Sequence, residues 1–324
     1  MTVTPNAFEE APPVQAGGLV KRYGSLVAVD HADLLVERGD VYGFLGPNGA
    51  GKTTTLRMLL GLIRPSEGSV RLFGRDPLLH GARALDGVAG FVEGPRFYPY
   101  LGGRKNLELL ARYDLLGAGR REIDEVLDIV ELRDRAGDKV GGYSHGMRQR
   151  LGIAAALLRK PRLLLLDEPA TGLDPAGMRD MRALVRRLAE QGMTVLLSSH
   201  LMSEVEELCN RVGIISRGRL IREGYLTELL GLASGSYRLE STDPERARAV
   251  CLAHGVAELV VDRGVLRFRS TATAVAQLTI ALGAAGVGIY ALAPEAASLE
   301  ELFLRLTEGP ADSTEAIAAE ASVA

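Results

Sequence analysis

Short apolar runs of strand length alternate with longer segments of helical periodicity along most of the chain. This alternation predicts an α/β fold with a parallel sheet covered on both faces. The opening GGLVKRYGSLVAVDHADLLVERGDVYGFLG instead shows short apolar alternations between glycine and charged turns, which predicts antiparallel strands. Buried strands are predicted at Val41–Leu45, Leu163–Leu166 and Thr194–Ser198, and a hairpin is predicted from Val212–Ser216 and Leu220–Glu223.

Helical spacing marks three further regions. Residues 52–62 follow a glycine loop and predict a helix, and residues 176–190 predict an amphipathic helix that stops at Gly192. Between them, residues 104–158 are rich in Leu, Ala, Arg and Glu, and they predict a helical block inside the α/β chain.

The character of the sequence changes near Ser234 and Gly235, where a linker is predicted. The remainder predicts strand, helix, strand, strand, helix, strand and helix, with Asp243 capping the first of these helices and Ser298 the last. The expected organisation is a disordered lead-in (1–14), a main domain (15–234) with a helical subdomain (about 95–158), a C-terminal α/β domain (236–308) and a disordered tail (309–324).

The composition of the chain excludes several classes of protein function. Apolar residues make up 47% of the chain and charged residues 24%, as in ordinary globular domains. The formal net charge of -3 gives no global basic field, so no nucleic-acid partner is expected. Two cysteines, Cys209 and Cys251, cannot build a disulfide framework, which indicates a reducing cytoplasm. The uncharged stretch Ser270–Pro294 is long enough to span a bilayer, but its threonines and glycines favour a helix followed by a buried strand. A membrane function would therefore require another subunit.

The strongest chemical motif is a glycine-rich loop between a predicted strand and a predicted helix. GPNGAGKT fits the pattern G-x-x-x-x-G-K-[ST], in which backbone N–H groups cradle phosphate oxygens and the helix N-terminus adds its dipole. Lys52 would reach the β- and γ-phosphates, and Thr53 would ligate Mg²⁺. The predicted nucleotide-binding residues of the loop are Gly46, Pro47, Asn48, Gly49, Ala50, Gly51, Lys52, Thr53 and Thr54.

Two acidic residues end a later buried strand. Asp167 can hold Mg²⁺ through water, and Glu168 is placed to orient or deprotonate an attacking water. His200 follows the next predicted strand, at the carboxyl edge where α/β sheets bind ligands, and a γ-phosphate contact is expected for it.

A second candidate anion site precedes an apolar helix. The segment YSHGMRQR places Ser144 and Gly146 at a helix N-terminus, where backbone N–H groups can bind anions. In isolation, a plain helix N-cap is the preferred interpretation.

The order of phosphate loop, helical insertion, YSHGMRQ, LLLLDEP, TGLDP and SSH resembles the nucleotide-binding subunit of ABC transporters over about residues 15–234. The resemblance implies a P-loop ATPase that binds ATP and Mg²⁺, and a head-to-tail dimer of two copies. Each ATP would lie between the Lys52 loop of one copy and the Ser144 loop of the other. Asp174, in TGLDP, matches a loop at that interface, and Tyr23, in KRYG, matches the aromatic residue that stacks on adenine. The residues matching the family's signature loop are Ser144, His145, Gly146, Met147, Arg148 and Gln149, of which His145 departs from the usual small or apolar residue.

Glu93 is a second departure, because the family usually has glutamine at the loop that joins the core to the helical insertion. A carboxylate there can ligate Mg²⁺ or position water, so Glu93 is predicted to act in catalysis with Lys52, Glu168 and His200, and with Thr53 and Asp167 at the metal. Followed by PRFYPYL, it resembles the bacitracin-, lantibiotic- or daunorubicin-type ATPases of antibiotic and multidrug exporters. The C-terminal unit, ending in LEELFLRLT, is similar to the extra domain of such ATPases.

The resemblance favours a cytoplasmic ATPase, peripheral on the inner face of the membrane, that drives a separate permease in the export of antibiotic, peptide or other drug-like compounds. A non-transport ATPase of this fold, acting on ribosomes or DNA, is disfavoured because the sequence has a single cassette and no long coiled coil. A P-loop kinase or GTPase is disfavoured because the sequence has no N-K-x-D loop and YSHGMRQ has no role in those folds.

Overall fold

The computed structural model describes residues 11–114, 118–233, 235–295 and 298–308. The chain divides into two compact units, residues 1–226 and 227–324, each with its own hydrophobic core. Of the predicted lead-in, residues 1–10 lie outside the described residues, and the first strand begins at Val14. The predicted tail (309–324) also lies outside them.

A six-stranded sheet forms the centre of the first unit. Its strands are β3 (Val41–Leu45), β5 (Val88–Phe91), β6 (Leu163–Asp167), β7 (Thr194–Ser199), β8 (Arg211–Ser216) and β9 (Arg219–Tyr225). They lie in the order β5-β6-β7-β3-β8-β9, and all pairs are parallel except β8 with β9. Every residue of β3, β6 and β7 is buried, which explains their continuous apolar sequences. The predicted strands and hairpin are confirmed within one or two residues.

A three-stranded antiparallel sheet forms a second layer of this unit, as the opening alternation predicts. Its strands are β1 (Val14–Tyr23), β2 (Leu26–Val36) and β4 (Glu67–Leu72), in the order β2-β1-β4. Alternate residues of β1 and β2, such as Val14, Leu34 and Val36, enter the main core together with Phe44 and Leu56. The two sheets therefore share one hydrophobic interior.

The helices of the first unit connect these strands. They are α1 (Lys52–Leu59), α2 (Pro77–His80), α3 (Gly103–Tyr113), α4 (Arg120–Ile129), α5 (His145–Leu157), α6 (Pro175–Glu190) and α7 (Met202–Leu208). The helical block predicted at 104–158 contains α3, α4 and α5, so its helical character is confirmed. Helix α1 ends three residues before its predicted end. Gly61 adopts a left-handed φ of 68°, and its N–H bonds the Met58 carbonyl at 3.0 Å, which closes the helix.

Helix α7 lies against β3 with little space between them. A Cβ built on Gly43 would lie 2.7 Å from Val205 Cγ1 and 2.9 Å from Cys209 Sγ. Only glycine therefore fits at the middle of β3 without displacing α7. This contact fixes the position of α7 against β3, the strand that leads into the glycine loop.

The second unit is an antiparallel sheet in the order β11-β12-β10-β13, with helices packed against it. After α8 (Leu226–Ala233), its elements are β10 (Ser236–Ser241), α9 (Pro244–Ala253), β11 (Ala257–Asp262), β12 (Val265–Arg269), α10 (Ala272–Ala284), β13 (Ile289–Pro294) and α11 (Leu299–Glu308). The predicted order of elements from β10 onward is confirmed, but the prediction of a buried strand after the uncharged helix is wrong, because β13 is mostly exposed. Asp243 caps α9 by accepting from Arg246 N at 3.0 Å, and Ser298 accepts from Glu301 N at 3.2 Å.

Candidate functional site

The glycine loop turns sharply between β3 and α1. Gly51 has a φ of 109°, and a Cβ on it would lie 2.6 Å from the Ala28 carbonyl oxygen. A Cβ on Gly46 would lie 2.3 Å from the Ile215 carbonyl oxygen. Glycine is required at both positions, because the neighbouring backbone leaves no room for a side chain. The turn presents successive backbone N–H groups at the start of α1, which is the arrangement that binds phosphates.

Lys52 folds back over this loop. Its side chain is only 4% exposed, and its ammonium donates to the carbonyl oxygens of Gly46 at 2.7 Å and Pro47 at 3.1 Å. The same nitrogen lies 3.1 Å from Glu168 Oε1. The lysine charge is thus held inside the loop, between backbone acceptors and one carboxylate.

Thr53 and Asp167 provide oxygen ligands next to each other. The Thr53 hydroxyl lies 3.0 Å and 3.3 Å from the two carboxylate oxygens of Asp167. Asp167 is buried at the end of β6 and also accepts from the Ser198 hydroxyl at 2.6 Å. A hydroxyl and a carboxylate converging at the edge of a phosphate loop fit Mg²⁺, which takes oxygen ligands.

Glu168 occupies a strained turn directly after β6, with a φ of 47°. Its carboxylate accepts from Thr171 Oγ1 at 2.8 Å, lies beside Lys52, and has His200 Nδ1 3.0 Å from Oε2. Burial favours the neutral acid, but the hydrogen bonds from Thr171 and Lys52, together with the electrostatic effects of Lys52 and His200, outweigh it and lower the pKa of Glu168. The carboxylate is therefore ionised at neutral pH and able to accept a proton.

Glu93 has its backbone and its side chain attached to different parts of the site. Its N–H donates to Asp167 Oδ2 at 3.3 Å. The residue itself adopts a left-handed φ of 67°. Its carboxylate is 59% exposed and pairs with the guanidinium of Arg57 on α1. The structure thus brings the Glu93 backbone to the candidate metal ligands and directs its carboxylate to Arg57. A metal or water-positioning role for this carboxylate stays a prediction.

The signature segment begins α5. Ser144 is the N-cap of this helix, and its hydroxyl accepts from Met147 N at 3.2 Å. Asp174 caps α6 in the same way, through Gly177 N at 2.9 Å. Residues of both caps, among them His145 and Gly146, line one cavity of about 370 Å³. No residue of the glycine loop lines it. The plain N-cap interpretation of Ser144 is confirmed, and binding of a nucleotide from a second copy stays a prediction.

Three further predicted residues lie at the end of β1 and in the first turns of α5. Tyr23, at the end of β1, is 47% exposed, and the Lys21 ammonium lies 5.0 Å from the centre of its ring. Gln149 is buried one turn into α5, with its side-chain nitrogen 3.4 Å from His145 Nε2. Arg148 donates to the carbonyl of Tyr143 at the turn before α5. The Arg148 side chain therefore ties the first turn of α5 to the residue that precedes the Ser144 cap.

Three residues at the site are not among those identified from the sequence. Ser198 bonds Asp167, Thr171 bonds Glu168, and Arg57 pairs with Glu93. The signal for Thr171 is its spacing of three residues from Glu168 in a turn. Ser198 could have been found from the parallel register, since it lies opposite Asp167 in the neighbouring strand.

Within the described ranges, no helix is both long enough and apolar enough to cross a bilayer.

Comparison with known proteins agrees with this geometry. The sequence profile of the ABC transporter family matches residues 29–171. The bacitracin transport ATP-binding protein BcrA of Bacillus licheniformis is 39% identical over 300 residues, covering 91% of this chain and 97% of that protein. The daunorubicin resistance ATP-binding protein DrrA3 of Streptomyces coeruleorubidus is 38% identical over 307 residues, covering 91% and 95%. The cassette MJ0796, solved as a dimer in a post-hydrolysis state with ADP and Pi, matches with a TM-score of 0.58 at 26% identity, covering 66% of this chain and 98% of that chain.

The parallel sheet, the phosphate loop facing an acidic pair and the separate signature loop define an ATP-binding cassette. The chain belongs to the ATP-binding proteins of the ABC transporter family. It is an ATPase homologous to bacitracin transport and daunorubicin resistance ATP-binding proteins, so the predicted fold class and activity are confirmed.

Proposed function

We propose that the chain hydrolyses ATP to drive a separate membrane permease that exports antibiotic, peptide or other drug-like compounds. The functions of its relatives support this substrate class, since BcrA is a bacitracin transport protein and DrrA3 a daunorubicin resistance protein. The chain aligns with almost the whole length of both proteins. The permease would hold the ATPase at the inner face of the membrane.

The observation that carries the proposal is the separation of two half-sites on one chain. Lys52, Thr53, Asp167, Glu168 and His200 converge at the carboxyl edge of the sheet. The cavity beside the signature segment is lined by none of them. A second copy placed head to tail would bring that cavity to the phosphates of the first copy and complete the site.

The residues at the phosphate loop have distinct roles in the proposed reaction. The loop N–H groups and Lys52 bind the phosphates, and Thr53 and Asp167 would hold Mg²⁺, which neutralises charge on the β- and γ-phosphates when bound. Glu168 accepts a proton from the attacking water. His200 holds the Glu168 carboxylate and would contact the γ-phosphate. The Ser144 loop of the partner would supply its helix N-terminus to the same phosphate.

The coupling to transport would begin at Glu93. Its N–H contacts Asp167 and its carboxylate contacts α1, so a change at the metal site reaches the loop that leads into the helical insertion. We propose that this loop and the insertion transmit closure of the dimer to the permease. ATP binding would close the dimer, and hydrolysis would reopen it.

The proposal is tested by capturing partners with a chain that binds ATP without hydrolysing it. Tagged Glu168→Gln protein is incubated with detergent-solubilised membranes with and without ATP and Mg²⁺, and the retained proteins are identified by mass spectrometry. We expect a stoichiometric protein with several hydrophobic spans. Expressing that protein with the wild-type chain, but not with Glu168→Gln, should lower sensitivity to a peptide or anthracycline antibiotic. Retention of ribosomal or DNA-repair proteins, with no membrane protein, would contradict the transport function and leave the ATPase activity standing.

A further inference from the structure

Two successive serines end β7, immediately before His200. Ser198 and Ser199 are both buried, and side chains alternate between the faces of a strand, so their hydroxyls point in opposite directions. Each hydroxyl has one proton to donate and lone pairs that accept. The partners of the two hydroxyls show the same pattern.

Ser198 joins the two acidic residues of the site. Its hydroxyl donates to Asp167 Oδ1 at 2.6 Å and accepts from the backbone N–H of Glu168 at 3.0 Å. A carboxylate can only accept, so the Ser198 hydroxyl must direct its proton to Asp167. Its oxygen then has a lone pair free to accept from the Glu168 N–H. The strained turn that presents Glu168 is therefore held by Ser198, whose hydroxyl is fixed by Asp167 and whose carbonyl also accepts from the Glu168 N–H at 3.2 Å.

Ser199 repeats this arrangement on the other face of β7. Its hydroxyl donates to Glu204 Oε2 at 2.5 Å and accepts from the backbone N–H of Leu201 at 3.0 Å. The Leu201 N–H lies directly after His200, so this bond fixes the turn that presents the histidine. The Ser199 carbonyl also accepts from Gly46 N at 3.2 Å, at the first residue of the glycine loop.

Glu204 is buried beside the close contact between α7 and β3. It is 6% exposed, and its neighbour Val205 packs against the position of Gly43 in β3. Burial raises the pKa of Glu204, while the hydrogen bond from Ser199 and the nearby charge of Arg182 oppose the rise. A buried carboxylate is costly unless it is hydrogen-bonded, so the Ser199 hydroxyl is the contact that accounts for its place in the fold.

We propose that Glu204 and Ser199 form a positioning pair that orients His200 toward Glu168, as Asp167 and Ser198 orient Glu168 itself. The pair touches no substrate and acts through the backbone of the turn at residues 199–201. The inference rests on the proposed roles of Glu168 and His200 in hydrolysis.

The test compares two replacements of Glu204 by side chains of similar size. Glu204→Gln keeps an oxygen that accepts from Ser199, and Glu204→Met removes it. We expect Glu204→Met and Ser199→Ala each to lower kcat by about tenfold or more, because small misplacements of a reacting group are costly. Glu204→Gln should stay within about threefold of wild type, and ATP affinity should be unchanged in all three variants. The double variant Ser199→Ala with Glu204→Met should be no slower than either single variant, since both remove the same contact.

Glu207→Gln is the matched control, because this glutamate is on the same helix but exposed and paired with Arg182. It should keep the wild-type kcat. Unfolding midpoints measured by circular dichroism identify variants that do not fold, and Ser199→Ala remains as a test if Glu204→Met fails in this way. The inference is overturned if a folded Glu204→Met or Ser199→Ala variant keeps the wild-type kcat, if kcat and ATP affinity fall in proportion, or if the two losses multiply in the double variant. Glu168→Gln is measured alongside. If it loses hydrolysis, the proposed role of Glu168 stands, and a negative result with the Glu204 and Ser199 variants counts only against the positioning pair.

Discussion

Replacing Glu168 by glutamine should change ATP binding and ATP hydrolysis in opposite directions. The Lys52 ammonium lies 3.1 Å from Glu168 Oε1, so a phosphate that binds this lysine competes with the carboxylate. The lowered pKa of Glu168 shows that the carboxylate is ionised near neutral pH. Glutamine removes the competing charge and also removes the group that accepts the proton from water. We therefore expect tighter binding together with very slow turnover.

The size of each effect can be worked from the geometry. Two unit charges at the 3.1 Å separation of Lys52 and Glu168 attract by about 5 kcal/mol at an effective dielectric constant of about 20. Most of this is offset by desolvation, and the Gly46 and Pro47 carbonyls still hold the ammonium in the variant. A net gain of about 1 kcal/mol would tighten ATP binding about fivefold. Loss of a general base lowers kcat by about 10²–10⁴, which raises the barrier by about 3–5 kcal/mol.

Both quantities are measured on one protein preparation. Equilibrium binding of a fluorescent ATP analogue gives the Kd, and single-turnover hydrolysis of labelled ATP gives the rate of the chemical step. Glu190→Gln is the matched control, because this glutamate is exposed at the end of α6. It makes the same chemical change away from Lys52, and we expect wild-type values for both measurements.

The reasoning fails if Glu168→Gln hydrolyses ATP within about threefold of the wild-type rate, which would remove Glu168 as the base. Weaker ATP binding in this variant would contradict only the proposed competition between Glu168 and phosphate for Lys52, and the role of Glu168 as the base would stand. In that case the carboxylate would support the bound nucleotide instead of opposing it.

Three further outcomes follow from particular contacts. Gly43→Ala should destabilise the chain by about 1–3 kcal/mol, because the added Cβ meets Val205 at 2.7 Å, and thermal unfolding measures the loss; an unchanged midpoint would contradict the close packing. Ser198→Ala removes the hydroxyl that bonds Asp167, so Mg²⁺-dependent hydrolysis should fall about tenfold while ATP binding without Mg²⁺ is kept. Because the pKa of folded Glu168 lies below its ordinary value of 4.5, the unfolded chain takes up this proton first as pH falls. The stability that this group contributes is complete above about pH 5 and is lost as pH falls through the folded pKa. Urea unfolding of wild type and Glu168→Gln is measured between about pH 7 and 3. The free energy of unfolding of wild type should fall relative to that of the variant as pH falls, and a constant difference between the two would contradict this expectation.

The parts of the fold that could be predicted from sequence are those with a strong local signal. Leu163–Asp167 is uniformly apolar up to its final carboxylate, and a strand buried on both faces requires that pattern. The glycine loop was identifiable because its glycines and lysine have fixed spacing, and the structure shows the reason at Gly46 and Gly51. Asp243 was recognisable as a cap because proline follows it directly.

The rest of the site depends on which strands lie side by side, which local sequence does not specify. Ser198 reaches Asp167 only because β7 lies beside β6 in parallel register. The pairing of Arg57 with Glu93 joins residues far apart in the chain, and no spacing rule predicts it. The early end of α1 had a local signal in Gly61, but an isolated glycine is tolerated within helices as well as after them.

The close packing of Cys209 against Gly43 also determines how the chain responds to thiol reagents. Burial raises the pKa of Cys209 well above its ordinary value, and it raises the pKa of Cys251 to about 11. The thiolate is the reactive form, so both native cysteines should resist alkylation at neutral pH. A single cysteine introduced on the surface would then be labelled selectively in the otherwise natural chain. Conversely, alkylation of Cys209 would report that α7 has separated from β3.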